Sequence, residues 1–130
     1  MNVLSFEYDT SYHPAAPCVE IEIYGYDASL GTRSIWAMVD SGADATILPV
    51  SLLNAIGADY KETAWMSGTA GGRIEVDLYS ANVRIGPITT NGVHVIATAD
   101  ANEAIIGRDV LNQLVVTLNG HAQMTEVLLD

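Results

Sequence analysis

The side chains of this sequence that could do chemistry are concentrated in two short segments. In residues 39–46, a carboxylate stands where an apolar run stops, and Ser, Gly, Ala and a second Asp follow it. Asp-Ser-Gly is by itself a common turn, because Asp and Ser bond their own backbone and Gly tolerates positive φ. In residues 104–111, an apolar run leads into Gly107 and a short helical pattern that begins with Arg108. A cation is unfavourable at the start of a helix, so we expect Arg108 to meet a specific carboxylate.

Together the two segments resemble those of the retropepsin-like aspartic proteases. In that family Asp-Thr/Ser-Gly-Ala follows an apolar strand, and later an apolar pair followed by Gly-Arg-Asp/Asn leads into a short helix. The resemblance covers about residues 18–128. It implies that Asp40 is the catalytic carboxylate and that Ser41 and Gly42 complete the catalytic triplet. It also implies an ion pair between Asp44 and Arg108.

A third segment, residues 65–72, is a loop of small residues between two strand-like runs. In the family such a hairpin is a flap that closes over a peptide, and glycine gives it mobility and backbone access. A plain hairpin and a phosphate-binding loop are the alternatives, but no Gly-Lys-Ser/Thr and no helical pattern follow. The resemblance therefore assigns substrate binding to Ala43, Asp44, Ser67, Gly68, Thr69 and Ala70, and structural support of the site to Gly107, Arg108 and Asp109.

Many short elements must position these segments. The hydropathy pattern predicts two short helices at residues 50–56 and 108–114, and strands at residues 19–24, 35–39, 46–48, 60–66, 74–85, 92–98, 104–106, 114–118 and 123–128. Asn119-Gly120 predicts a two-residue hairpin turn between the last two strands. This pattern indicates an all-β barrel or sandwich, and the resemblance specifies a retropepsin-like closed β-barrel subunit. We expect one domain over residues 1–130, with residues 1–17 an N-terminal extension of undefined structure.

The chemistry of such a site requires a second carboxylate. Aspartic peptidolysis uses two carboxyl groups so close that only one ionises, one acting as base on water and the other as acid. The sequence has one Asp-Thr/Ser-Gly motif, so we expect a two-fold homodimer with an Asp40 from each copy. The resemblance implies that residues 123–128 pair with their counterpart and cover an exposed edge. The expected substrate is a peptide or unfolded protein, bound as an extended strand.

The composition narrows the function classes further. Sixteen acidic and five basic side chains give a formal charge of minus 11, while 49% of the residues are apolar. These values are typical of one globular domain, and the charge opposes binding to nucleic-acid phosphates and anionic lipids. No apolar run approaches the roughly 20 residues that span a bilayer. We therefore expect no nucleic-acid partner and no membrane partner.

Other kinds of site are poorly supported. A serine nucleophile at Ser41 would need a nearby histidine and a Gly-x-Ser-x-Gly elbow, which is missing around it. His13, His94 and His121 lie on separate segments without metal-ligand spacing, so we expect no metal and no cofactor. The single cysteine, Cys18, cannot form an internal disulfide, and an N-terminal segment unlike a signal peptide predicts a cytoplasmic protein.

Two further interpretations stay open beside an aspartic endopeptidase. A retropepsin-like dimerisation or peptide-binding module that does not cleave would have the same fold, and a peptidase assay of the dimer distinguishes it from an enzyme. An unrelated acidic β-barrel that binds a small ligand would explain the composition but would leave the paired motifs as coincidence. That interpretation predicts a monomer in solution.

Overall fold

A computed structural model describes residues 2–67 and 71–130, and strands dominate them. The elements of this described part are β1 (Val3–Glu7), β2 (Cys18–Tyr24), β3 (Thr32–Val39), β4 (Ile47–Pro49), α1 (Val50–Ala55), β5 (Asp59–Ser67), β6 (Arg73–Ile85), β7 (Ile88–Thr98), β8 (Ile105–Ile106), α2 (Arg108–Leu111), β9 (Val116–Asn119) and β10 (Met124–Leu128). A 3₁₀ turn at Ala28–Leu30 precedes β3. The predicted all-β class with two short helices is confirmed. Neither helix of this part is long and apolar enough to cross a membrane.

The larger sheet closes into a barrel. Its strand order is β2-β3-β8-β4-β7-β6-β5, and an additional pairing of β2 with β6 joins its ends into a ring that leaves β5 outside. The alternation that predicts β2 has its physical cause here, because Ile21 and Ile23 point into the barrel and are fully buried while Glu20 is exposed. Leu48, Val83 and Val95 meet them in the core, as the predicted closed barrel requires.

Parallel pairing at the centre of this sheet brings two distant turns together. β3 and β8 run parallel, with Met38 opposite Ile105 and Val39 opposite Ile106. The chain segments that leave these two strands therefore emerge side by side at the same edge. Those segments begin at Asp40 and Gly107, so the barrel places the two chemistry-bearing motifs of the sequence next to each other.

The smaller sheet contains both ends of the chain, in the order β1-β10-β9. Part of the N-terminal extension is thus a regular strand, with Phe6 opposite Thr125. β10 lies in the middle, paired with β1 on one side and with β9 on the other. The prediction that residues 123–128 form an exposed edge for a partner's copy is wrong, because both edges of β10 are already hydrogen-bonded within the chain.

The last hairpin also differs from its prediction. Asn119 pairs with Met124, so four residues separate the strands rather than the two of a tight Asn-Gly turn. The Asn119 side chain accepts a hydrogen bond from the Ala122 N–H at 3.0 Å, and Gln123 takes the left-handed conformation with φ 54°. A two-residue turn does occur at residues 86–87, where Ile85 pairs with Ile88 and Gly86 has φ 55°. Because this turn is so short, β7 begins at Ile88, earlier than predicted. Separately, α2 ends at Leu111 rather than at residue 114.

Candidate active site

Asp40 stands at the point where β3 leaves the barrel. Its N–H donates to the Ile106 carbonyl at 3.0 Å, which continues the β3–β8 pairing by one residue. The loop then turns back, because the Gly42 N–H donates to Asp40 Oδ1 at 2.9 Å and the Ala43 N–H donates to the Asp40 carbonyl at 3.2 Å. A turn centred on Ser41 and Gly42 thus fixes one oxygen of a half-buried carboxylate.

Beneath this loop, Thr46 and Asp109 form a buried network. Thr46 is fully buried, and its N–H and hydroxyl donate to the two carboxylate oxygens of Asp109 at 3.0 and 2.7 Å. The same hydroxyl accepts from the Gly107 N–H at 3.2 Å, so it is satisfied both as donor and as acceptor. The network ties the end of the Asp40 loop to the start of α2.

Gly107 allows the two segments to touch backbone to backbone. A Cβ at this position would lie 2.6 Å from the Ala45 carbonyl carbon and 2.9 Å from the Ala43 oxygen. Next to it, the Arg108 N–H donates to the Ala43 oxygen at 2.9 Å. Only a residue without a side chain fits here, which gives Gly107 its structural role.

Arg108 contacts the loop from its outer side. One guanidinium nitrogen, Nη1, donates to the Ser41 carbonyl at 2.7 Å, and Nη2 forms an ion pair with Asp44. The side chains of Arg108 and Asp44 are 43% and 75% exposed. The structure therefore contains the expected pair, and water reaches it.

A cleft of about 620 Å³ opens in front of the loop. The loop contributes one wall, the barrel strands the floor and the β5–β6 hairpin the opposite wall, with lining residues that include Asp40, Ala43, Asp44, Ile47, Ile96, Met66, Ser67 and Ile74. Most of these side chains are apolar. The carboxylate of Asp40 thus borders a cleft that suits the apolar side chains of an extended peptide.

The hairpin wall is formed by the end of β5 and the start of β6. Met66 pairs with Ile74 and Ser67 with Arg73, so the two strands continue up to the limit of the described residues. Ser67 lines the cleft, and its assignment to a substrate-binding flap stays a prediction. The other three residues of that prediction, Gly68, Thr69 and Ala70, lie outside the described residues.

The structure brings most of the predicted site residues together. Gly42 joins Asp40 in the cleft lining, and Ser41 lines a separate groove. Gly107 and Asp109 support the loop from below, and Arg108 contacts it from its outer side. Sequence reasoning missed Thr46, which it assigned only to a strand. The available signal was a hydroxyl residue within a short apolar run, since a buried hydroxyl needs a hydrogen-bond partner.

The remaining candidate groups lie elsewhere. Burial raises the pKa of the Cys18 thiol above its usual value, and the thiol donates to the Glu7 carbonyl at 3.3 Å. Among residues 2–67 and 71–130, no three His, Cys, Asp or Glu side chains are grouped so that they could hold a metal ion.

Comparison with known proteins agrees with this geometry. None of the curated proteins matches the sequence. A retropepsin-like aspartic protease from Rickettsia conorii has a similar structure, with a TM-score of 0.61 and 12% identity over 97% of this chain and 90% of that one. EIAV protease in complex with the inhibitor HBY-793 gives a TM-score of 0.56 and 19% identity over 75% of this chain and 86% of that one.

Both likenesses show that the barrel has the retropepsin-like fold predicted from the two motifs. The sequence family described as gag-polyprotein putative aspartyl protease matches residues 26–113, a span that includes the Asp40 loop, both walls of the cleft and the start of α2. The chain therefore belongs to the gag-polyprotein putative aspartyl protease family.

Proposed function

We propose that the protein is a homodimeric aspartic endopeptidase whose catalytic dyad consists of Asp40 from each of two copies. One observation carries the proposal: of the two carboxylates in the described lining of the cleft, one forms an ion pair and the other does not. Asp44 is paired with Arg108, whereas Asp40 receives the Gly42 N–H on one oxygen. Asp40 is thus the carboxylate that is free to act on a bound peptide.

A dyad of this kind works by sharing one proton. Two adjacent carboxyl groups cannot both ionise, so one remains an acid while the other is a base. The ionised carboxylate removes a proton from water, and the water oxygen forms a bond to the peptide carbonyl carbon. The acid gives its proton to the carbonyl oxygen. The carboxyl group that took the water proton then gives it to the departing amine nitrogen as the C–N bond breaks. The other carboxylate takes the proton of one hydroxyl of the tetrahedral intermediate, so a carboxyl product forms and the dyad again holds one proton.

The cleft favours an extended, partly apolar peptide. Its floor is made by Ile47 and Ile96, and the hairpin wall presents Met66 and Ile74. A strand laid between the loop and the hairpin would gain backbone hydrogen bonds, while alternate side chains would enter the apolar space. Peptides and unfolded proteins offer such segments, because folded substrates have their backbone groups already paired.

The test is Asp40→Asn, assayed for cleavage of an unfolded protein and for inhibition by a statine-type transition-state analogue. Asparagine keeps the oxygen that accepts the Gly42 N–H, so the variant should fold and dimerise. It cannot share a proton, and we expect peptidase activity to fall by about 10²- to 10⁴-fold, the usual contribution of general acid–base catalysis. After subunit exchange, an equal amount of variant should reduce wild-type activity to about half, since random pairing leaves about half of the original homodimers.

Asp100→Asn is the matched control. Asp100 Oδ1 accepts the N–H of the residue two positions on, Asn102, at 2.9 Å, the same turn geometry that Asp40 makes with Gly42. Asp100 is not in the described lining of the cleft. The control should keep full activity and should not inhibit the wild type on mixing. Equal activity of both variants would refute the catalytic role of Asp40, and an inactive wild-type dimer would favour a module that binds without cleaving.

A further inference from the structure

A second concave site lies where the end of β1 meets β2 and β3. This cavity of about 240 Å³ is lined by two aromatic side chains, two carboxylates and a thiol, namely Trp36, Tyr8, Glu7, Asp9 and Cys18. We call it the Trp36 cup. Among the described residues it shares no lining residue with the cleft of Asp40. None of its five residues has a part in the proposed peptidase mechanism.

The walls of the cup are held in place by contacts between β1, β2 and β3. The Cys18 thiol donates to the Glu7 carbonyl at 3.3 Å, which joins the start of β2 to the end of β1. Phe6 contacts Trp36 edge to face, with ring centroids 5.7 Å apart, and so orients the indole. Trp36 is nevertheless 52% exposed. Much of an oriented indole ring is therefore open to a ligand.

The Asp9 carboxylate is fixed in position and negatively charged. Its Oδ1 accepts the Ser11 hydroxyl at 2.6 Å and the Ser11 N–H at 2.9 Å, and these bonds keep the pKa of Asp9 below its usual value. Its Oδ2 accepts no hydrogen bond from residues 2–67 and 71–130. Burial and then the charge of Asp9 raise the pKa of the Cys18 thiol, so this charge acts on the lining of the cup.

The same face of the barrel already contains a guanidinium bound between an aromatic ring and a carboxylate. Arg84 lies over the Tyr24 ring at 5.3 Å, and its Nε and Nη2 donate to the two carboxylate oxygens of Glu22 at 3.3 and 3.1 Å. Arginine suits this arrangement because its planar group stacks on a ring while its N–H groups reach a carboxylate. The Trp36 cup has the same components, and Glu20 lies directly opposite Trp36 in the β2–β3 ladder.

What the cup lacks is a cation from the described part of its own chain. The four arginines all contact other groups, namely Leu30 and Thr32 for Arg33, Trp65 for Arg73, Glu22 for Arg84 and Asp44 for Arg108. The single lysine, Lys61, lies on β5, which contributes no described residue to the cup. The formal charge of minus 11 attracts cations and opposes anionic ligands. The ligand that complements this cup therefore carries positive charge.

We propose that the Trp36 cup binds a guanidinium group, which stacks on the indole of Trp36 and donates hydrogen bonds to the carboxylates of Glu7 and Asp9. The group belongs to an arginine side chain of a polypeptide or to a small free guanidinium compound, which present the same chemistry to the cup. Binding at this site requires neither a second copy of the chain nor the Asp40 dyad.

The first test is a titration of the isotope-labelled protein with acetyl-Gly-Arg-Gly-amide, followed by NMR. The same peptide with citrulline in place of arginine is the ligand control, because its urea group has the shape of guanidinium without the charge. The indole N–H signal of Trp36 should shift and saturate, whereas that of Trp65, which already contacts Arg73, should not. We expect the arginine peptide to bind at least about fivefold more tightly than the control. Equal binding of both peptides would overturn the proposal.

Methylguanidinium chloride distinguishes the two sources of the group. If the peptide binds at least as tightly as methylguanidinium, the cup accepts an arginine side chain of a polypeptide. If methylguanidinium alone saturates the Trp36 signal, the cup accepts small free compounds only. Both results support a guanidinium site, and failure of both probes would overturn it.

Asp9→Asn and Asp27→Asn are a matched pair of variants. Asp27 Oδ1 accepts the Ser29 hydroxyl at 2.6 Å and the Ser29 N–H at 3.0 Å, the same turn that Asp9 makes, but Asp27 does not line the cup. Each variant keeps the oxygen of its turn and removes one negative charge. Asp9→Asn should weaken binding of the arginine peptide at least about threefold, and Asp27→Asn should leave it unchanged. Equal weakening by both would indicate general attraction to an acidic surface and would refute the cup.

Trp36→Leu and Trp65→Leu test the aromatic part of the site. The two tryptophans are 52% and 57% exposed, so the substitutions are comparable. Trp36→Leu should weaken binding of the arginine peptide at least about threefold, and Trp65→Leu should not. The backbone N–H signals of Glu7 and Asp9 report binding in both variants. Binding by Trp36→Leu as tight as that of the wild type would contradict stacking on the indole.

Discussion

The two walls of the cleft are held in place in different ways. The loop wall is fixed by residues far away in sequence, with 63 positions between Thr46 and its partner Asp109. The hairpin wall is fixed by near neighbours, with 14 positions between Thr63 and Asp77, whose side chains bond at 2.8 Å. The geometry of the loop wall thus depends on the complete barrel, whereas that of the hairpin wall depends on one local strand pair.

The two walls also differ in burial, because the loop wall rests on buried groups and the hairpin wall is exposed. The polar network under the loop is closed around a fully buried hydroxyl, Thr46. On the hairpin, Trp65 and Ile74 are 57% and 52% exposed, and the Arg73 guanidinium lies over the Trp65 ring at 5.3 Å. A site of this design combines a tightly constrained wall that positions a carboxylate with an exposed wall whose side chains can change without loss of the fold. Matched substitutions on the two walls test that difference.

The largest difference is expected between Gly107→Ala and Gly72→Ala. At Gly107 the new Cβ would meet backbone atoms of Ala45 at 2.6 and 2.7 Å, and backbone cannot move aside without disturbing the loop. We expect a loss of about 1–3 kcal/mol or more in the free energy of unfolding, the range for overpacking. At Gly72 the Cβ would meet no atom of residues 2–67 and 71–130 within 4 Å, and the change should stay within about 0.5 kcal/mol. Urea denaturation of both variants measures this, and equal losses would contradict the comparison.

A smaller difference is expected between Thr46→Val and Thr63→Val. Both hydroxyls donate to a carboxylate, Thr46 to Asp109 at 2.7 Å and Thr63 to Asp77 at 2.8 Å. Removing the buried hydroxyl leaves Asp109 and the Gly107 N–H each without one partner, which costs about 1–3 kcal/mol. Thr63 is exposed, so water replaces its hydroxyl and the change should be within about 0.5 kcal/mol. Thermal melts of both variants at the same pH measure this difference in stability. If Thr63→Val lost as much stability as Thr46→Val, burial would be refuted as the cause.

The smallest effects are expected for Arg108→Ala and Arg73→Ala. Arg108 belongs to the loop wall, but its ion pair with Asp44 is 43% and 75% exposed, so it should contribute about 0.2–1 kcal/mol, the range for surface pairs. The exposed contact of Arg73 with Trp65 falls in a similar range of about 0.5–1 kcal/mol. Added salt should reduce the Arg108 effect, because exposed charges are screened. A loss of about 3 kcal/mol or more for Arg108→Ala is the value for a buried pair and would contradict the exposure seen here.

Local patterns in the sequence were sufficient for most strands of the barrel, whereas the residues of the candidate site were predicted from the family resemblance of two motifs. Alternation predicted β2, the apolar run before Asp40 predicted β3, and the Gly-Arg-Asp segment predicted the start of α2. These features are visible because each depends on residues within one strand or one turn. A cation placed against the helix dipole predicts a carboxylate partner for Arg108, and the family resemblance implies that this partner is Asp44, as the structure shows.

The errors concern features that depend on distant partners. The sequence pattern does not predict β1, because its five residues form their hydrogen bonds with β10, more than 100 positions away. The Asn119-Gly120 turn was wrong because the register between β9 and β10 places Asn119 opposite Met124 and uses its side chain inside the loop. Thr46 was assigned to a strand only, since its role needs Gly107 and Asp109 beside it.

The amino-acid sequence alone thus determined the strand pattern, the carboxylate at the end of β3 and the glycine and arginine that contact the loop after it. Three-dimensional packing set the closure of the barrel by β2 and β6, the exposure of the Asp44–Arg108 pair and the choice of β9 rather than β10 as the free edge. The physical reason is that a backbone hydrogen bond or an ion pair between distant segments depends on which groups other segments have already satisfied or covered. The alternation of apolar residues predicts only which face of a strand is buried in the core.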